Sequence, residues 1–171
     1  SSRERVAERQ RELEQGVCLA CATFGGPGLA SHFRFQDAVA APGHAVRQRD
    51  GVAIDRDLGR VAGSRKYDFE VIEAGARFPF VVVMENPRDW QIGLLLSALD
   101  LLDDGLIRVG GFGSRGLGLV RLAGEPRLVR RSLEDILDGR EGTLLDEDRR
   151  QACRKALLAE VRHALRGKEG C

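Results

Sequence analysis

No apolar run in this 171-residue chain is long enough to cross a bilayer, so a helical membrane span is excluded and the chain reads as a soluble globular protein. An excess of charge of one sign is missing too, since 27 Lys+Arg face 26 Asp+Glu and leave a formal net charge of +1. Any polyanion site must therefore come from local clusters of arginine. Four cysteines make no disulfide framework, because Cys18 and Cys21 form a C-x-x-C pair while Cys153 and Cys171 sit far away in a charged tail. That usage fits a reducing, cytoplasmic setting. No secretory signal opens the sequence, and a start at Ser1-Ser2 reads as an excised or processed segment. What remains is length enough for one domain with a helical appendage, and an ordinary apolar fraction of 43% to fill its core.

The stretch around which the rest is arranged is Gly110-Gly111-Phe112-Gly113-Ser114-Arg115-Gly116-Leu117-Gly118. Apolar residues 106–109 lead in and 117–122 lead out, which predicts a loop between two strands. Glycine leaves backbone amides uncovered, so a polyanion can come close. Among them, Arg115 supplies a fork-shaped donor suited to phosphate. Gly111, Gly113 and Gly116 also match the spacing of the dinucleotide fingerprint, but that reading needs a helix after the third glycine, and residues 117–122 predict a strand. The Walker loop is excluded because no Lys-Ser/Thr pair follows. A glycine-rich connection with no ligand stays open beside the phosphate reading.

In chain order, residues 2–15 predict a charged surface helix ending at Gly16. Cys18 and Cys21 follow as a knuckle-like pair that can supply half of a tetrahedral zinc site, with His32 and His44 the nearest further donors, or can pack as structural thiols. A redox pair would need a helix starting at the first cysteine, against which the glycines beyond it argue. Residues 31–38 alternate as a half-buried strand with Phe33 and Phe35 on one face. Residues 40–66 lose periodicity and carry Arg47, Arg49, Arg56, Arg60, Arg65 and Lys66 among glycines and aspartates, as an extended hairpin or loop projecting from the core would. A solvated loop with balanced charges is the plainer alternative.

Residues 66–73 and 77–84 both alternate around a turn at residues 73–76, which predicts a hairpin. Asn86-Pro87-Arg88-Asp89 predicts a helix start with Asn86 as cap. Leu94, Leu95, Leu99 and Leu102 then give a helix packed across the sheet and stopped by Gly105. Ser132 opens a short capped helix ending at Gly139, and residues 146–166 form a longer one with Ala152, Leu157, Leu158, Val161 and Leu165 as its apolar side. The class is α+β.

Four motifs in this order carry a likeness: Cys18-x-x-Cys21-x-x-Phe24-Gly25, Gly51-Val52-Ala53-Ile54-Asp55-Arg56, Trp90-Gln91-Ile92-Gly93-Leu94-Leu95 and Gly113-Ser114-Arg115-Gly116-Leu117-Gly118. With the strand Phe33-Arg34-Phe35-Gln36-Asp37-Ala38, they make residues 17–122 resemble the RAMP superfamily of CRISPR-associated proteins, above all the repeated backbone subunits of type III effector complexes. The resemblance implies a ferredoxin-like, RRM-like antiparallel sheet in a partial domain at residues 17–124. An N-terminal helix at 1–16 would precede it and a helical extension at 125–171 would follow. It implies RNA-binding residues at Gly110, Gly111, Gly113, Ser114, Arg115 and Gly116, set against the guide RNA backbone. It also implies a thumb-like segment at 40–66 that inserts between segments of the guide–target duplex.

Partners would be guide RNA, target RNA and other effector subunits, copies of this chain among them, with no membrane. Sequence would be read by the guide's own base pairing. Family members that cleave target RNA use an aspartate near their start, and nothing in residues 1–17 matches that segment; Asp37 and Asp55 match no cleavage position. The chain thus reads as the C-terminal part of such a protein, with no catalytic residue assigned. Some relatives bring further cysteines from upstream, so zinc at Cys18 and Cys21 would be completed from there. Two readings of other classes stand beside this one: a nucleotide-using enzyme with the loop on a pyrophosphate, and a structural module whose glycines only permit tight turns.

Overall fold

The structure is a computed structural model that describes residue 5, residues 17–54 and residues 61–166, with the backbone alone described for 52–54 and 61–66. The predicted helix at 2–15, the side chains of Arg56, Arg60, Arg65 and Lys66, and Cys171 lie outside the described residues. The chain is α+β, and its described strands form three two-stranded sheets. It divides into two compact units, Arg34–Val83 and the combination of Ser1–Phe33 with Met84–Cys171. The short sheet of β1 (Phe33–Phe35) and β4 (Val82–Met84) lies where the chain passes between them in sequence.

The first unit is dominated by a long antiparallel hairpin, β2 (Val46–Ile54) with β3 (Val61–Ile72). Tyr67, Phe69 and Val71 do alternate as the sequence suggests, but their partner strand is upstream. Arg47 pairs with Val71, Arg49 with Phe69 and Gly51 with Tyr67, so the predicted pairing of 66–73 with 77–84 is corrected. The turn at residues 73–76 is present, with the Ala76 N–H on the Glu73 carbonyl at 3.4 Å. What fails is the returning strand: Pro79 lacks a backbone donor and cannot sit inside a ladder, so only Val82–Met84 is left as strand. Of the expected extended hairpin or loop at 40–66, the hairpin is what forms: β2 lies within that segment, and β3 continues past residue 66 to Ile72.

The second unit is built on helices. α1 (Leu19–Phe24) precedes α2 (Asp89–Asp103), and Gln91 joins them, because its fully buried amide donates to the Ala22 carbonyl at 2.9 Å. The same side chain accepts from the Arg88 N–H at 2.8 Å, which starts α2 at Asp89 with Arg88 as its cap. Asn86 is thus not the cap: it takes a left-handed conformation at φ 45° ahead of Pro87. The helix ends as predicted at Gly105, whose φ of 73° lets the Leu106 N–H reach back to the Leu101 carbonyl at 2.9 Å.

A small hairpin of β5 (Val129–Arg130) and β6 (Thr143–Leu144) encloses α3 (Leu133–Leu137), capped by Ser132 as expected. Then α4 (Glu147–Arg166) packs against α2, which corrects the expectation that α2 lies across a sheet. The buried face of α2 runs through Trp90, Gly93, Leu96 and Leu99, and Gly93 is the point on it that meets α4. On α4 it centres on Cys153, fully buried, while Leu158 and Leu165, expected inside, are 50% and 61% exposed. Gly93 explains the rotation. A Cβ there would run into the backbone carbonyl of Cys153, so the two helices approach at a glycine and turn Cys153 inward. Burying Leu96 contributes about 2 kcal/mol. Arg154 on Asp100, bidentate at 2.9–3.0 Å, and Arg149 on Asp89 at 2.6 Å close the flank.

Candidate nucleic-acid interface

The glycine loop is a clasped turn. At its mouth the Val109 N–H donates to the Gly118 carbonyl at 2.9 Å, and Arg108 Nη1 donates to the Leu117 carbonyl at 3.2 Å. Gly118 holds φ 79°, and a Cβ on it would collide with the Val109 carbonyl, so only glycine lets the two arms meet. Inside, a single 3-10 turn at Gly113–Arg115 is closed by the Arg115 N–H on the Phe112 carbonyl at 2.9 Å and the Gly116 N–H on the Gly113 carbonyl at 3.1 Å. The exit arm is tied to α2 by the Leu122 N–H on Asp103 Oδ1 at 2.8 Å. The predicted strands at 106–109 and 117–122 are corrected. These arms are irregular, because a single clasp at Val109 and Gly118 replaces a ladder between them.

Two consequences bear on ligand binding. The amides of Arg115, Gly116 and Leu117 are used in closing the turn, whereas those of Gly110, Gly111, Gly113 and Ser114 find no acceptor among the described residues. Gly111 also lacks the internal reasons for being glycine: its φ is not left-handed, and an added Cβ would meet nothing within 4 Å. Gly113 is nearly as free, with its nearest neighbour the Arg108 Cδ at 3.5 Å. No helix follows Gly116, so the helix N-terminus on which a dinucleotide site depends is not present. Phe112, which sequence reasoning passed over, is left-handed at φ 58°, and Arg115 lies over its ring, 5.1 Å from the centroid. A bulky residue inside a glycine run was the available signal.

In the β2–β3 hairpin, directly opposed residues share a face. Arg47, Arg49, Gly51, Tyr67, Phe69 and Val71 therefore form one face, and Gln48, Asp50, Asp68 and Glu70 the other. Tyr67 covers Gly51, where a Cβ would strike its ring, and stands 6.1 Å from Phe69. Arginines beside aromatics are what a nucleic-acid surface requires, and the register that brings them together could not be read from spacing. Arg47 is ion-paired with Glu73, while Arg49 has no ion pair among the described residues.

Cys18 and Cys21 lie elsewhere. α1 begins directly after Cys18, so the sequence argument against a helix there is corrected; the glycines end the helix after six residues without preventing it. The thiols are adjacent. Cys21 is held above its ordinary pKa, first by its hydrogen bond with Cys18, then by that neighbour's charge, then by slight burial. No third His, Cys, Asp or Glu joins them among the described residues, so these residues do not fit a complete zinc site. His32 is engaged by the Glu85 carbonyl at 2.7 Å and His44 by the Ala41 carbonyl at 2.9 Å.

Among the described residues no helix is long and apolar enough to cross a membrane. Compared with known families, residues 2–121 match the model of the RAMP superfamily. Compared with curated proteins, the chain has no match.

Proposed function

This chain belongs to the RAMP superfamily of CRISPR-associated proteins, with the RNA-binding role that membership carries, and from that premise we propose that it is a backbone subunit of a type III effector complex. It binds the guide RNA backbone without regard to sequence and shapes the guide–target duplex for antiviral RNA interference. The observation that carries this reading is Gly111: a glycine that neither backbone conformation nor internal crowding requires, beside Arg115 and amides with no acceptor among the described residues, is explained by a phosphate backbone that must come close. Arg47 and Arg49 on the hairpin add attraction that weakens with salt, with Arg56, Arg60, Arg65 and Lys66 extending it.

Its partners are guide and target RNA and other effector subunits, copies of itself included, in the cytoplasm. Cys18 and Cys21, neither of them in a disulfide, supply half the donors of a zinc site that a further segment or partner completes.

The test is to purify the chain with its upstream sequence and partner subunits and ask for co-purifying RNA of uniform length. Gly111→Ala should lower RNA affinity about fivefold with no change in Tm, and Arg115→Ala should weaken two unrelated RNAs equally. Protein that carries no RNA but does carry a nucleotide would overturn the proposal. A loss confined to one RNA sequence would replace backbone contact with base readout.

A further inference from the structure

We propose that the Phe112 ring, braced by Arg115, is a stacking shelf for an unpaired RNA base next to the phosphate site of the glycine loop. The proposal rests on the RNA-binding reading above and adds a ligand contact of a different chemistry. Its starting point is a cost. A bulky side chain at φ 58° is strained, and any of the glycines around it would adopt that conformation without strain. Part of the ring stays open to solvent, with Phe112 42% exposed.

The ring is nonetheless held. Its own carbonyl accepts from the Arg115 N–H at 2.9 Å, the guanidinium carbon lies 5.1 Å from the ring centroid, and the Val109–Gly118 clasp fixes the turn beneath it. Around it, Cβ atoms added at Gly110, Gly111 and Gly116 would all meet open space, so the loop has room beside these three glycines. An aromatic ring kept exposed, positioned and beside a cation suits the face of a nucleobase. Such stacking tolerates any base, in keeping with a protein that does not read sequence.

The test uses the full chain with its partner subunits and an RNA carrying 2-aminopurine at successive positions. Wild type should quench the fluorophore at one position. Phe112→Ala and Phe112→Leu should both abolish that quench and weaken binding about tenfold, while Phe112→Tyr restores both. An abasic nucleotide at the quenched position should weaken wild type to the same degree and leave Phe112→Ala unchanged. Equal binding and quench in Phe112→Leu would overturn the shelf and leave the RNA-binding reading intact. Failure of wild type to bind any of these RNAs would overturn that reading and the shelf with it.

Discussion

The glycine loop and the β2–β3 hairpin both present arginine, but they present it on opposite physical terms. In the loop the backbone is the instrument: one clasp and a 3-10 turn fix a set of amides, and Arg115 is set over an aromatic ring. In the hairpin the backbone is consumed by its own ladder, and only side chains on one face are offered. Binding at the loop should therefore depend on geometry, and binding at the hairpin on charge and salt.

The largest effect expected from this contrast is at the clasp. Gly118→Ala puts a Cβ against the Val109 carbonyl at φ 79°, a strain of about 1–3 kcal/mol, and should reduce RNA affinity at least about tenfold at every salt concentration. Unchanged affinity in a titration would show that loop geometry does not matter. On the hairpin, Arg49→Ala should instead lower the slope of log affinity against log salt by about 0.7–0.9. Arg47→Ala should lower it less, because Glu73 already competes for that guanidinium. Equal slope changes for the two would break the charge account, and a larger change for Arg47 would reverse it.

The smallest effect lies outside both regions. Asp135 is held below the ordinary carboxylate pKa, chiefly by hydrogen bonds from the Ser132 side chain and backbone. Because the folded value is the lower one, its contribution is complete above the unfolded value of about 3.9 and is lost as pH falls through the folded value. Protection of the Ser132 and Asp135 amides, measured against the intrinsic exchange rate at each pH, should therefore fall in acid while the hairpin arginines, which stay charged, keep their salt slope. Protection that does not respond to acid would mean that the capping box does not hold α3.

The legible parts of the chain were those decided locally. Ser132 and Asp135 form a cap within four residues, Gly105 ends α2 through its own φ, and the alternation of Tyr67, Phe69 and Val71 is a property of one strand. The turn at residues 73–76 was legible as well, yet the hairpin built on it was not. Pro79 vetoes the following partner, and β3 pairs instead with β2 before it, in a register that spacing alone does not give. Spacing also missed the inward face of α4, since Cys153 is buried because Gly93 on another helix makes room for its carbonyl.

By itself, then, the sequence determined the α+β class, the helix caps and stops, and the glycine run with Arg115 at its centre, because each depends on φ preferences and periodicity within a few residues. Tertiary structure alone decided which strand β3 pairs with, which loop amides are spent in the clasp, and that Phe112 lies beneath Arg115. Those outcomes depend on contacts between distant residues or on one turn's closure, where the free energies of alternative pairings compete and local preference carries too little weight to choose.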